Sequence, residues 1–226
     1  MLTSQSSFLN NLILQTIEVA YRPSEKYMRG VGWAAHTVIR ISKGVNSCLI
    51  GKNIDGIVVA FRGTQPNSAL DWLQDAAVFF ERVDGVPGRI HTGFHVGATN
   101  LYEPVKATLL DMLAEAVEES SNESSSCIAG GLEQPLPRIF LTGHSKGGSL
   151  ASITAALMLA DPDIKNVDYV ATFAAARVGD HVFQSYFNRH IRQRTYENYL
   201  DIVPFLPPGK EDYEAMSPEL KQKVNE

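Results

Sequence analysis

The sequence predicts an α/β domain with a mostly parallel central sheet flanked by helices. Three observations point there. Strand-like and helix-like segments alternate along the chain, which calls for right-handed crossovers between parallel strands. Ile57-Val-Val-Ala-Phe61 is a continuous β-branched and aromatic run, the pattern of a strand covered on both faces. A short apolar run at 138–142 leads through a glycine-rich turn into an apolar helix at 148–160. The 226 residues suit one such domain with a sizeable core, and residues 1–226 read as a single unit.

The elements follow in order. Apolar residues at 12, 13, 14, 17 and 20 predict a short amphipathic helix over Asn11 to Tyr21. Segments 35–41 and 47–50 read as strands, and Asp55-Gly56 is a hairpin turn signal before the 57–61 strand. Apolar positions 94, 98, 101, 102, 105, 109, 112, 113 and 116 predict a long helix over Phe94 to Ser120. Pro104 should kink or restart it, because proline lacks the N–H of the helical ladder. Ser120 to Pro137 is rich in Ser, Gly and Pro and reads as a surface loop. Segment 168–173 is a strand. Asp180 to Ile191 is a helix with Asp180 as its N-cap, and Thr195 to Leu200 is the last strand.

Bulk composition narrows the function. A net charge of −5 argues against nucleic acid and against electrostatic docking on anionic membranes. It leaves open contact with a lipid surface through an apolar patch. Of the two cysteines, Cys127 lies in the Ser-rich loop. A bridge to Cys48 is compatible with this, but two free thiols in a reducing compartment is the reading adopted. No His/Cys/Asp cluster has ligand spacing, so no metal and no cofactor are expected. Residues 1–11 lack a basic n-region, and no apolar run approaches a membrane span. The expected location is cytoplasmic.

Gly143-His144-Ser145-Lys146-Gly147 carries the chemistry. A G-x-S-x-G between strand and helix is a nucleophile elbow. Its turn is so tight that a Cβ two residues before or after the serine would strike a neighbour. The helix behind it presents free N–H groups and a positive dipole end to a developing oxyanion. Asp201 follows a strand, where doubly wound sheets place their sites.

Four motifs stand in one order: Phe61-Arg-Gly-Thr64, His91-Thr-Gly-Phe94, Thr142-Gly-His-Ser-Lys-Gly-Gly148 and Asp201-Ile-Val-Pro204. Together they resemble the class 3 (fungal-type) triacylglycerol lipase family of the α/β-hydrolase fold, over about residues 55 to 208. Asp71-Trp-Leu-Gln-Asp75 and Ala176-Arg-Val-Gly179 are similar to further signatures of it. The resemblance implies a serine carboxylic-ester hydrolase acting on lipid or other ester substrates through an acyl-enzyme. It makes Ser145 the nucleophile and Asp201 the acid of a Ser…Asp…His triad. Thr64 and the backbone N–H of Lys146 would form the oxyanion hole. Arg62 is read as a loop anchor. Lys146 departs from the leucine usual in this family, and its side chain reads as a solvated charge. Segment 65–70 falls where fungal members carry a lid and is short, with Leu70 and, just beyond it, Trp72 as the bulky apolar residues.

The histidine departs further. The family's catalytic histidine comes tens of residues after the aspartate, yet this chain has none beyond His190. Of His36, His91, His95, His144, His181 and His190, none reads as a base. His91 has a structural role in the family, and His144 should point into the fold. Two explanations stand. The chain is truncated at its C-terminus and its base lies downstream, or a lipase-like protein lost its base and became a binding or signalling module. Segment 217–224 opens like a helix, with Ser217 as N-cap and Pro218 at the first position, and then stops; this favours truncation. An acyltransferase on the same nucleophile is a third reading. As given, the chain is expected to be nearly inactive.

Overall fold

The computed structural model describes residues 16–64, 79–124, 136–164, 167–198, 200, 201, 203–206 and 218. Among them a six-stranded sheet runs in the order β1-β2-β3-β6-β7-β8, and β4-β5 forms a separate hairpin. The strands are β1 (Ile39–Lys43), β2 (Asn46–Asn53), β3 (Gly56–Phe61), β4 (Phe80–Val83), β5 (Val86–His91), β6 (Ile139–His144), β7 (Tyr169–Phe173) and β8 (Gln193–Tyr196). The helices are α1 (Glu25–Gly30), α2 (Thr92–Ser124), α3 (Lys146–Ala160) and α4 (His181–His190). Residues 16–21 are also helical.

Strands β1 to β3 form an antiparallel meander, and β3, β6, β7 and β8 are parallel. The parallel strands are joined through helices, as the alternation of segments predicts. Every residue of β3 is buried. Its Ile57, Val59 and Phe61 join a large core that includes Leu101 and Leu109 of α2 and Leu150 of α3. Val58 and Ala60 point the other way, into a second core with Val19, Ala20, Trp33 and Phe140. The period of two in a covered strand thus feeds two cores, one on each face.

Differences from the sequence reading have physical causes. Helix α2 does not restart at Pro104 but runs from 92 to 124. Pro104 and Asn100 both lie on the exposed face, so the carbonyl that proline leaves unpaired faces water. The Thr108 Oγ1 donates to the Pro104 carbonyl at 2.9 Å. The helix also takes in the start of the expected 120–137 loop. Residues 35–37 form a 3₁₀ turn instead of opening a strand. The last strand ends at Tyr196, because Asn198 turns the chain by accepting the Asp201 N–H on its carbonyl and the Leu200 N–H on its side chain. Hairpin β4-β5 was not anticipated, although Asp84-Gly85 between two short strands is a turn signal. Gly85 has φ +77°, as such a turn requires.

Other expectations hold. Asp180 caps α4, its Oδ1 accepting the N–H groups of Val182 and Phe183. Cys48 is a free, buried thiol whose pKa burial pushes up to about 12. Cys127, segment 65–70 and segment 71–75 lie outside the described residues. Of the expected 217–224 helix only Pro218 is described, and it is helical. Among the described residues no helix is long and apolar enough to cross a membrane.

Candidate active site

Strand β6 ends at His144 and helix α3 begins at Lys146, so Ser145 is the single residue between them. It stands at φ 54°, ψ −131°, a conformation that non-glycine residues rarely adopt and that costs on the order of 1–3 kcal/mol. The Ser145 N–H donates to the Phe173 carbonyl at 2.9 Å, and its own carbonyl accepts from Gly148 N–H. Neighbouring Ala174, after β7, is the other described non-glycine residue at positive φ. Strain is therefore concentrated at the C-terminal ends of the two central parallel strands.

The glycines of the elbow are there for want of space. A Cβ on Gly143 would lie 2.2 Å from the Gly147 carbonyl carbon. One on Gly147 would lie 2.3 Å from the Phe61 carbonyl oxygen and 2.9 Å from the Gly63 nitrogen. One on Gly63 would lie 2.4 Å from the His144 carbonyl oxygen. The first turn of α3, the end of β6 and the loop 61–64 are thus packed backbone against backbone. The Ser152 Oγ lies one turn further along α3 and donates to the Gly148 carbonyl at 3.1 Å.

Thr64 ends the described part of that loop. Its Oγ1 is buried and has no hydrogen-bond partner among the described residues. A buried hydroxyl with no such partner keeps its hydrogen-bonding capacity unused. Arg62 anchors the loop through its backbone, donating to the Ser47 carbonyl at 2.9 Å, while its buried Nε has no such partner. Among the described residues, the anchoring of the loop by Arg62 is therefore that of its main chain.

Lys146 overturns one expectation. It is 6% exposed and so is not a solvated charge. Burial, and then the positive charge of Arg62, push its pKa down from the ordinary lysine value. The physical reason is its position: it opens a helix whose first turn is pressed under the loop 61–64. Asp201 lies beyond the C-terminal end of β8, on the same end of the sheet as Ser145, and its Oδ1 accepts the Val203 N–H at 2.9 Å. Its charge reaches the ring of His144, where it partly offsets the lowering of that imidazole's pKa by burial. The His144 Nδ1 lies 3.0 Å from the hydroxyl of Tyr21, a residue that sequence reading did not single out.

The remaining histidines differ in their surroundings. His91 is fully buried between Phe80 and Phe94, and burial lowers its pKa. His95 pairs with Glu81 at 2.8 Å, and the His190 Nδ1 lies 2.8 Å from the Tyr186 carbonyl. His36 and His181 are exposed. Among the described residues no group of His, Cys, Asp and Glu could hold a metal ion.

The sequence pattern of the family described as Lipase (class 3) matches residues 58–211. This chain belongs to the class 3 lipase family. The match takes in Thr64, the elbow and Asp201. A curated relative, Triacylglycerol lipase OBL1 of Arabidopsis thaliana, is 30% identical over 185 residues, 69% of this chain. This class 3 lipase chain spans 35% of that relative's length. Among solved structures, the triacylglyceride lipase of Rhizomucor miehei superposes with a TM-score of 0.62 at 22% identity, over 90% of this chain and 76% of that one. The lipase of Rhizopus microsporus var. chinensis gives 0.58 at 20% identity, over 91% and 70%. At these identities the likeness shows the fold, which is that of the α/β-hydrolases.

Proposed function

We propose that this chain is a serine carboxylic-ester hydrolase that cleaves lipid esters through an acyl-enzyme. The observation that carries the reading is Ser145 held at positive φ between β6 and α3, inside a class 3 lipase match. The curated relative's name argues for triacylglycerols as the first substrates to try. Peripheral contact with the lipid surface that holds such esters is part of the same reading.

Ser145 Oγ attacks the ester carbonyl, and its proton passes to a base. The carbonyl oxygen becomes an oxyanion that the Lys146 N–H and Thr64 receive, with the positive end of α3 behind them. The tetrahedral intermediate collapses, the C–O bond breaks and the alcohol leaves with the proton. Water then attacks the acyl-serine by the same route, releasing the fatty acid and restoring Ser145. Asp201 orients the histidine that relays the proton. None of the six histidines of residues 1–226 is given that role.

A second reading is a lipase-like module that binds an ester or acyl group without turning it over. Release of fatty acid from emulsified triacylglycerol by the full-length protein, against a Ser145→Ala control, separates the two. Ser145-dependent release supports the hydrolase, whereas binding of the emulsion with no release supports the module. A competing alcohol added to the same assay reports acyl transfer. Residues 1–226 alone should hydrolyse poorly, since losing a triad histidine costs on the order of 10⁶ in turnover.

A further inference from the structure

Tyr21 lies outside the residues matched by the family, yet it touches both halves of the site. It ends the helical stretch 16–21, which Val19 and Ala20 fasten to the sheet through the core formed with Trp33, Val58 and Phe140. That fastening carries the tyrosine ring to the ends of β3 and β6. Its hydroxyl lies 3.0 Å from the His144 Nδ1, and the two rings meet edge to face at 5.9 Å and 67°. On the other side stands Gly63, where a Cβ would come within 2.2 Å of the same hydroxyl oxygen. The hydroxyl thus sits directly against the Gly63 backbone. A phenolic hydroxyl has one proton and two lone pairs, so it can serve both neighbours at once.

We propose that Tyr21 is a positioning residue: its hydroxyl clamps the loop that carries Thr64 to the strand end that carries Ser145. The proposal rests on the roles given to Ser145 and Thr64 above. Oxyanion donors stabilise a transition state only if they are fixed before the reaction, and small misplacements are costly in rate. Loop 61–64 leaves β3 after Phe61, while Ser145 leaves β6. The neighbouring parallel strands pair Phe61 with Gly143, but the register ends there. Beyond it, the hydroxyl of Tyr21 is a side-chain link between the two, and it comes from a third segment. Glycine at 63 is required because any side chain there would displace the hydroxyl or the His144 carbonyl.

Tyr21→Phe keeps the ring and its packing and removes only the hydroxyl. In the full-length protein, kcat should fall roughly tenfold with KM unchanged, while the melting temperature moves by no more than about 4 °C. Amide hydrogen exchange at Gly63 and Thr64 should quicken roughly tenfold relative to amides of β3, the readout of a loosened loop. A lower melting temperature with kcat and loop exchange unchanged would show a merely structural tyrosine and overturn the proposal. Faster exchange with unaltered kcat would overturn it as well. If the parent shows no Ser145-dependent turnover, the hydrolase reading fails, and the exchange of Gly63 and Thr64 alone judges the clamp: quickened supports it, unchanged overturns it.

Discussion

Gly147 and Phe61 meet backbone to backbone: a Cβ on Gly147 would lie 2.3 Å from the Phe61 carbonyl oxygen. The contact sets the elbow helix against the loop that carries Thr64. Since the obstacle is main chain on both sides, no side-chain rotation relieves it. Gly147→Ala should therefore shift loop and helix apart. The expected result is a loss in kcat/KM of about a hundredfold or more, as for a misplaced site. Steady-state kinetics on the folded variant checks this, and near-normal kcat/KM would show that the loop does not take part.

Lys146 enters the proposed chemistry through its backbone N–H. Lys146→Leu removes a buried, disfavoured charge and keeps the donor. Activity should stay within about threefold of the parent, because a backbone donor survives side-chain exchange. A fall of a hundredfold or more in ester hydrolysis would show that the ammonium itself acts.

Much of the site is legible in the sequence because its constraints are local. Gly143, Ser145 and Gly147 are fixed by one turn, and Asp180 by the first turn of its helix. What cannot be read depends on distant contacts. The burial of Lys146 follows from loop 61–64 lying over the helix start, and no pattern near Lys146 reports it. Tyr21 is 123 residues from His144, so only the folded chain brings them together. Pro104 misleads for the opposite reason: proline is a strong local breaker, but here the orphaned carbonyl is on the wet face of α2. The β4-β5 hairpin had its signal in Asp84-Gly85, between strands too short to stand out by hydrophobicity.

The His144 imidazole should resist protonation. Burial lowers its pKa, and the Asp201 charge offsets this only in part. Burial lowers that of His91 in the same direction. A depressed folded value means that stability is fully present above the unfolded histidine value of about 6.5 and is lost as pH falls through the folded values. Denaturant midpoints should therefore drop on acidification below about pH 6.5. Ring-nitrogen NMR should find His144 neutral at a pH where a solvent-exposed imidazole is half protonated. A ring that protonates above that point would contradict the burial argument.

Asp161 ties the end of α3 to α2. Its carboxylate accepts from the Tyr102 hydroxyl at 2.8 Å and the Lys106 ammonium at 2.7 Å, and Lys106 also reaches Asp163 at 2.7 Å. The Lys106 hydrogen bond is the main reason that the Asp161 pKa falls to about 2. A depressed carboxylate contributes stability above its unfolded value and loses it as pH falls through its folded one. Asp161→Asn should lower the melting temperature at neutral pH, and the gap to the parent should close between about pH 4 and about pH 2. A gap that persists unchanged at acid pH would mean that the ionised carboxylate is not the source.

The central claim is that Ser145 is the nucleophile. It is tested most directly by mass spectrometry of the full-length protein after reaction with a long-chain p-nitrophenyl alkylphosphonate. The expected result is one phosphonyl adduct on the peptide bearing Ser145, release of one equivalent of p-nitrophenol, and neither in Ser145→Ala. An adduct on another residue, or p-nitrophenol release that survives Ser145→Ala, would contradict the account.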